Sequence, residues 1–237
     1  MKHLLPLACA AAVFASLPAA RATEKIVVDA NSMQGRTQAA IEEFRAAVAL
    51  EPNRGHGAIL FESCAACHQA DGRGSADGTV PVIAGQHVSV LVKQLVDFRH
   101  DRRWDSRMRG AAKQHELVDA QDLLDVASYA SGLPRPGPRA GGTGDGARQH
   151  EGQVVYYRDC ESCHGRLGEG ELQTLRPRLA GQHYLYLLRQ LYETAEGTRP
   201  GMDEAHRERI GALSDAERSA VADYLSRLSP EFSSTTD

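Results

Sequence analysis

Two copies of a short motif, Cys-x-x-Cys-His, constrain this chain more than any other feature. The copies consist of Cys64, Cys67 and His68 and of Cys160, Cys163 and His164. Two thiols at this spacing reach the two vinyl groups of one porphyrin, and the adjoining histidine then lies under the iron as its proximal ligand. Each motif therefore predicts one covalently bound haem c, and the chain should fold around two such groups.

Three other kinds of site are compatible with two pairs of cysteines. They are a tetrahedral zinc site, a pair of disulfides and a thioredoxin-like redox pair. None of them explains why a histidine directly follows both pairs. Aromatic residues make up only 5% of the chain, which is little for two hydrophobic cores unless a large apolar group fills part of them. Haem is therefore the favoured interpretation.

The motifs belong to an internal repeat in which equivalent residue numbers differ by 96. The repeated positions include Pro81 and Pro177, the Ala-Gly-Gln-His segments at 84–87 and 180–183, and the Gln-Leu pairs at 94–95 and 190–191. A register without gaps over this length indicates duplicated domains. We place them at 54–133 and 149–230, joined by a Pro- and Gly-rich linker at 134–148 and followed by a tail at 231–237.

Short helices are predicted in both halves. The predicted helices are 56–66, 88–98 and 119–131 in the first half and 152–162, 184–193 and 214–228 in the second. Asp119 and Ser214 are typical N-cap residues, and a proline follows each closing helix. Few stretches alternate between apolar and polar residues as a strand would. The predicted fold class is therefore all-α.

The chain begins with the features of an export signal. A lysine precedes an apolar stretch at 4–17, and an Ala-x-Ala cleavage site ends at Ala22. We therefore expect 1–22 to be a signal peptide that directs the mature protein to the periplasm. An N-terminal extension follows at 23–53, with an amphipathic helix predicted at 38–50.

A second axial ligand decides whether a haem transfers electrons or binds small molecules. One methionine follows the motif in each half, Met108 at 40 residues after His68 and Met202 at 38 residues after His164. Both lie in charged stretches that suit a core methionine poorly, so we assign both as thioether ligands. The other candidates are His87, His100, His115, His183 and His206. The pair at 87 and 183 recurs in register and is expected to be structural or to lie at the haem edge, and the other three are expected on the surface.

The prolines at the repeated positions suggest a role beside the proximal histidines. Pro81 and Pro177 each lie 13 residues after the haem histidine. A backbone carbonyl in this loop can accept the Nδ1 proton of the proximal imidazole, which fixes the ring and raises its basicity. Alternatively each proline only shapes its loop, and the two roles are compatible.

Together these features resemble the dihaem cytochrome c4 family over residues 54–230. The resemblance rests on the Cys-x-x-Cys-His motifs, the Pro-x-x-Ala-Gly-Gln-His segments, the Gln-Leu helix and the late methionine of each half. It implies two tandem cytochrome c domains whose haems lie close enough to exchange electrons. It also implies His68 with Met108, and His164 with Met202, as the axial pairs. Gln69 departs from the glycine that usually follows the haem histidine in this family.

The expected function is single-electron transfer rather than catalysis. The formal net charge of −4 offers no basic excess for nucleic acid, and no second long apolar run follows the signal to span a membrane. We expect redox protein partners, with a respiratory or dehydrogenase donor and an acceptor such as a terminal oxidase. Two alternatives stay open: a cytochrome subunit of a periplasmic dehydrogenase, such as a sulfide-oxidising flavoprotein, and a haem enzyme of the peroxidase or thiosulfate-oxidising type. Peripheral membrane association and oligomeric state are left undecided.

Overall fold

The computed structural model describes residues 26, 37–113, 117–137 and 144–229. The predicted signal peptide, the tail, His115 and parts of the extension and linker lie outside these residues. The helices of the described residues are α1 (Gln38–Val48), α2 (Arg54–His68), α3 (Val88–Arg99), α4 (Ser106–Ala112), α5 (Ala120–Gly132), α6 (Gln149–Asp159), α7 (Glu161–His164), α8 (Tyr184–Ala195), α9 (Glu204–Gly211) and α10 (Asp215–Arg227). The described chain forms no strand, only an isolated bridge, so the all-α prediction is confirmed. No helix in this part of the protein is long and apolar enough to cross a membrane.

The first half of the chain folds as helices α1 to α5 around one hydrophobic core. Helix α2 packs against α5, and α3 packs against the same helix. Helix α1, from the N-terminal extension, lies on α3 and α5 and buries Phe44 in this core. Its Glu43 accepts hydrogen bonds from Arg99 and His100. The helix predicted at 38–50 therefore packs on the first domain.

The second half repeats this arrangement with α10 packed on α6 and α8. In each half the helix that leads into the haem motif, α2 or α6, meets the closing helix, α5 or α10, at a glycine. A Cβ on Gly57 would lie 2.1 Å from the carbonyl oxygen of Asp125, and one on Gly152 would lie 2.1 Å from that of Ala220. No side chain fits at either position, so the helix that carries or precedes each haem motif packs backbone to backbone on the closing helix.

The two halves meet through the glutamines of the repeated Ala-Gly-Gln-His segments. Gln182 accepts a hydrogen bond from the amide of Val82 and donates one to its carbonyl, at 2.9 and 2.8 Å. Gln86 forms the same two bonds with Arg178, at 2.9 and 3.0 Å. Since donors and acceptors in the two sets differ by 96 in residue number, the interface has an approximate two-fold symmetry.

The histidines of the same segments extend this symmetric contact. His87 donates from Nε2 to the carbonyl of Glu169, and His183 donates to that of Arg73, both at 2.8 Å. These acceptors are also related by the repeat. Both histidines are thus structural residues of the domain interface, which is one of the two roles predicted for them.

Candidate haem sites

The first Cys-x-x-Cys-His motif forms the end of α2. His68 is buried, and its Nδ1 lies 3.0 Å from the carbonyl oxygen of Pro81. A carbonyl can only accept, so Nδ1 carries the proton and Nε2 keeps a lone pair. Burial lowers the pKa of His68, which favours the neutral imidazole that a metal ligand requires.

The second motif spans the junction of α6 and α7. Nδ1 of His164 lies 3.1 Å from the carbonyl oxygen of Pro177, and burial lowers the pKa of His164 to about 4. The residue after the haem histidine has a positive φ in both halves, 80° at Gly165 and 65° at Gln69. Gln69 therefore adopts the conformation that favours glycine, and the backbone at Gln69 is similar to that at Gly165.

The four motif cysteines form none of the alternative sites. No disulfide joins any two of them, and no cluster of three or more His, Cys, Asp or Glu side chains suited to a metal ion occurs in the described ranges. Burial raises the pKa of Cys64 and raises that of Cys160 to about 12. A thioredoxin-like pair needs a lowered thiol pKa instead.

One cavity of about 660 Å³ connects the two motifs across the domain interface. Cys64 and His68 line it from the first half, and Cys160, Cys163 and His164 line it from the second. Helices α3, α5, α8 and α10 add aliphatic side chains to its wall, such as Leu91, Val126, Leu187 and Val221. Thiols, an imidazole lone pair and an apolar wall are the groups that a covalently bound porphyrin needs, so the residues present fit a haem in each half.

The structure brings both predicted methionine ligands to this cavity. Met108 lies on α4 and Met202 lies just before α9, and both side chains line the wall. The rival histidines His87 and His183 are engaged at the domain interface, and His100 bonds to Glu43 of α1.

His206 is the residue that the sequence interpretation placed wrongly. It was expected on the surface, but its ring lines the cavity, with its centre 6.3 Å from that of His164. Its Nδ1 is buried and has no hydrogen-bond partner in the described structure. Burial and the neighbouring His164 lower the pKa of His206 to about 4. The second half therefore offers two candidate distal ligands, Met202 and His206.

The comparisons with known proteins agree with this geometry. A family model described as Cytochrome c matches residues 55–133 and 149–229. Cytochrome c4 of Thiocapsa roseopersicina is 35% identical over 173 residues, which cover 70% of this chain and 87% of that protein. A thiosulfate dehydrogenase electron acceptor of Stutzerimonas stutzeri is 34% identical over 178 residues, covering 70% of this chain and 79% of that one. The crystal structure of reduced recombinant cytochrome c4 from Pseudomonas stutzeri matches with a TM-score of 0.66 and 27% identity, over 75% of this chain and 100% of that chain. The two tandem haem domains are thereby confirmed, and the chain belongs to the dihaem cytochrome c4 family, whose domains carry two covalently attached haem c groups.

Proposed function

We propose that this protein is an exported, periplasmic electron carrier that moves single electrons between a respiratory or dehydrogenase donor and an acceptor such as a terminal oxidase. A haem iron held by two side chains supplies one-electron chemistry, while the protein tethers, orients and encloses the group. The observation that carries this proposal is the cavity that joins the two proximal histidines across the domain interface.

The candidate distal ligands also support a carrier over an enzyme. Met108 lines the cavity in the first half, and Met202 and His206 line it in the second. Each iron can thus have a side chain at its sixth position, whereas a peroxidase needs an open position for its substrate. We therefore keep the predicted pair of His68 with Met108 for the first haem.

The domain interface supports electron passage between the two halves. Gln86 and Gln182 bind main-chain groups of the opposite domain from largely buried positions. Because these bonds fix both partners, the relative position of the two haem sites need not change when an electron moves. Little reorganisation favours rapid transfer.

A donor from sulfur oxidation is the second candidate. The observation that favours it is the relative named as a thiosulfate dehydrogenase electron acceptor, which is as similar to this chain as the cytochrome c4 proteins are. In that case the protein would accept electrons from a periplasmic dehydrogenase, either as a free acceptor or as its bound cytochrome subunit.

The test uses the mature holoprotein from a host with haem-maturation machinery. We expect two haems per chain by pyridine haemochrome, full reduction by ascorbate, and no change of the reduced spectrum with carbon monoxide. A single haem, or rapid carbon monoxide binding and peroxide turnover, would contradict the carrier. Stopped-flow mixing with reduced thiosulfate dehydrogenase then separates the donors, since only a sulfur-pathway acceptor should be reduced at a rate comparable to turnover.

A further inference from the structure

The helices that carry the distal side chains begin in the same way in the two halves. Helix α4 has Asp105 as its N-cap, and this carboxylate accepts a hydrogen bond of 3.2 Å from the amide of Met108. Helix α9 has Asp203 as its N-cap, and this carboxylate accepts one of 2.8 Å from the amide of His206. Met108 and His206 are each the third helical residue after the cap, so His206 occupies the structural position of Met108.

Met202 occupies a different position. It directly precedes the N-cap of α9, where the first half has Trp104, and that side chain is 62% exposed. The segment around Met202 is tied to the other domain, because the amide of Gly201 donates to the carbonyl of Arg102 at 3.1 Å. Met202 therefore lines the cavity from a segment of the domain interface. Relative to the helix N-caps, it corresponds to Trp104 of the first half and not to the predicted ligand Met108.

The two imidazoles of the second half have the spacing of two ligands on one metal ion. Metal–imidazole nitrogen bonds are about 2.0–2.1 Å long, so two bonds in line, with about 1.1 Å from each nitrogen to its ring centre, separate the ring centres by about 6 Å. The observed separation of His164 and His206 is 6.3 Å. Nδ1 of His164 is held by Pro177, and a buried ring nitrogen of His206 has no partner within the described chain.

We propose that His206, rather than Met202, is the distal ligand of the haem attached at Cys160 and Cys163. The first haem then has His/Met ligation and the second has His/His ligation. Methionine ligation raises the reduction potential of a haem, so the second haem has the lower potential and is the entry point for electrons that leave through the first. The inference rests on the proposed dihaem electron-carrier function.

The experiment compares the oxidised holoprotein with Met202→Leu, His206→Met and, as matched control, Met108→Leu. The weak far-red absorption band of a Met–Fe(III) bond counts the methionine-ligated haems, and low-temperature electron paramagnetic resonance detects the His/His haem. We expect the far-red band of the unchanged protein to come from one methionine-ligated haem. Its intensity should be unchanged in Met202→Leu, absent in Met108→Leu and doubled in His206→Met. The potential of the second haem should rise in His206→Met.

A far-red band that falls by half in Met202→Leu, with no His/His signal in the unchanged protein, would overturn the inference. This comparison does not depend on His206→Met folding. It is also separate from the carrier function, because either ligand leaves both irons six-coordinate. High-spin iron and carbon monoxide binding in the unchanged protein would instead refute the proposed function together with the inference.

Discussion

Replacing Gln182 by alanine removes both of its hydrogen bonds to Val82 and leaves two main-chain groups of the first domain without partners. Gln182 is 4% exposed and Val82 is 2% exposed, so water does not easily replace the lost amide. An unsatisfied buried polar group costs about 1–3 kcal/mol, so the amide and carbonyl of Val82 together destabilise the docked domains by about 2–6 kcal/mol. The loss of stability should be greatest at the domain interface, because Gln182 belongs to neither of the two hydrophobic cores.

The effect is measured by urea unfolding of the holoprotein together with native-state hydrogen exchange of the peptide that contains Val82. Exchange should accelerate there, with smaller change in the helix cores. The matched control is Gln38→Ala, which removes an exposed side-chain bond to Glu42 and should alter the free energy of unfolding by less than about 0.5 kcal/mol. The argument is wrong if Gln182→Ala is as mild as the control, or if exchange at Val82 stays unchanged.

Three further changes test the packing, the pH response and the interface. Gly57→Ala should destabilise the first domain by at least about 2 kcal/mol in thermal or urea unfolding, because its Cβ meets the carbonyl of Asp125, whereas Gly211→Ala, with open space around it, should be neutral or slightly stabilising. Hydrogen bonds from Ser214 and from Arg158 lower the pKa of Glu217 from 4.5 to about 2. Because the pKa of Glu217 is depressed in the folded protein, its contribution to stability is present above pH 5 and is lost as the pH falls toward 2. The difference in unfolding free energy between the protein and Glu217→Gln should therefore shrink over that range. A constant difference would refute the stabilising role of the ionised Glu217. Arg103→Lys should loosen the domain interface, since the guanidinium donates to Gln94, Tyr186 and Gln190 at once and an ammonium cannot reproduce that fork; unchanged hydrogen exchange at α8 would contradict this.

The haem motifs and the fold class could be predicted because they depend on local chemistry. Thioether attachment fixes the spacing of the cysteines and histidine, and the apolar pattern with caps such as Asp119 and Ser214 predicts helices, which the structure contains at closely similar bounds. The repeat also singled out Gln86 and Gln182. Their shared contact could not be predicted, because hydrogen bonds to main-chain groups of another domain leave no pattern in the partner's side chains.

The position of His206 was missed for a different reason. The gap-free repeat runs at an offset of 96 through the Gln-Leu pairs, but the N-caps Asp105 and Asp203 differ by 98 and the N-caps Asp119 and Ser214 differ by 95. Insertions and deletions accumulate in surface loops, so counting residues from the haem motif does not align the distal segments. Aligning the halves on the Asp that begins each distal helix would have paired Met108 with His206.

The interface glutamines also connect each domain to the haem site of the other. Val82, which Gln182 holds, directly follows Pro81, whose carbonyl accepts the Nδ1 proton of His68. Arg178, which Gln86 holds, directly follows Pro177, whose carbonyl does the same for His164.

This arrangement makes each proximal histidine depend on a side chain of the opposite domain. The partner of a ligand imidazole sets its orientation and basicity, so loosening the Pro81 loop should disturb the first haem and loosening the Pro177 loop the second. We expect Gln182→Ala to shift the potential of the haem at Cys64, and Gln86→Ala to shift that of the haem at Cys160, in a spectroelectrochemical titration. Equal shifts of both haems in either variant would mean that the glutamines act only by holding the domains together. Crossed and selective shifts would show that docking itself tunes each iron through the loop that orients its histidine.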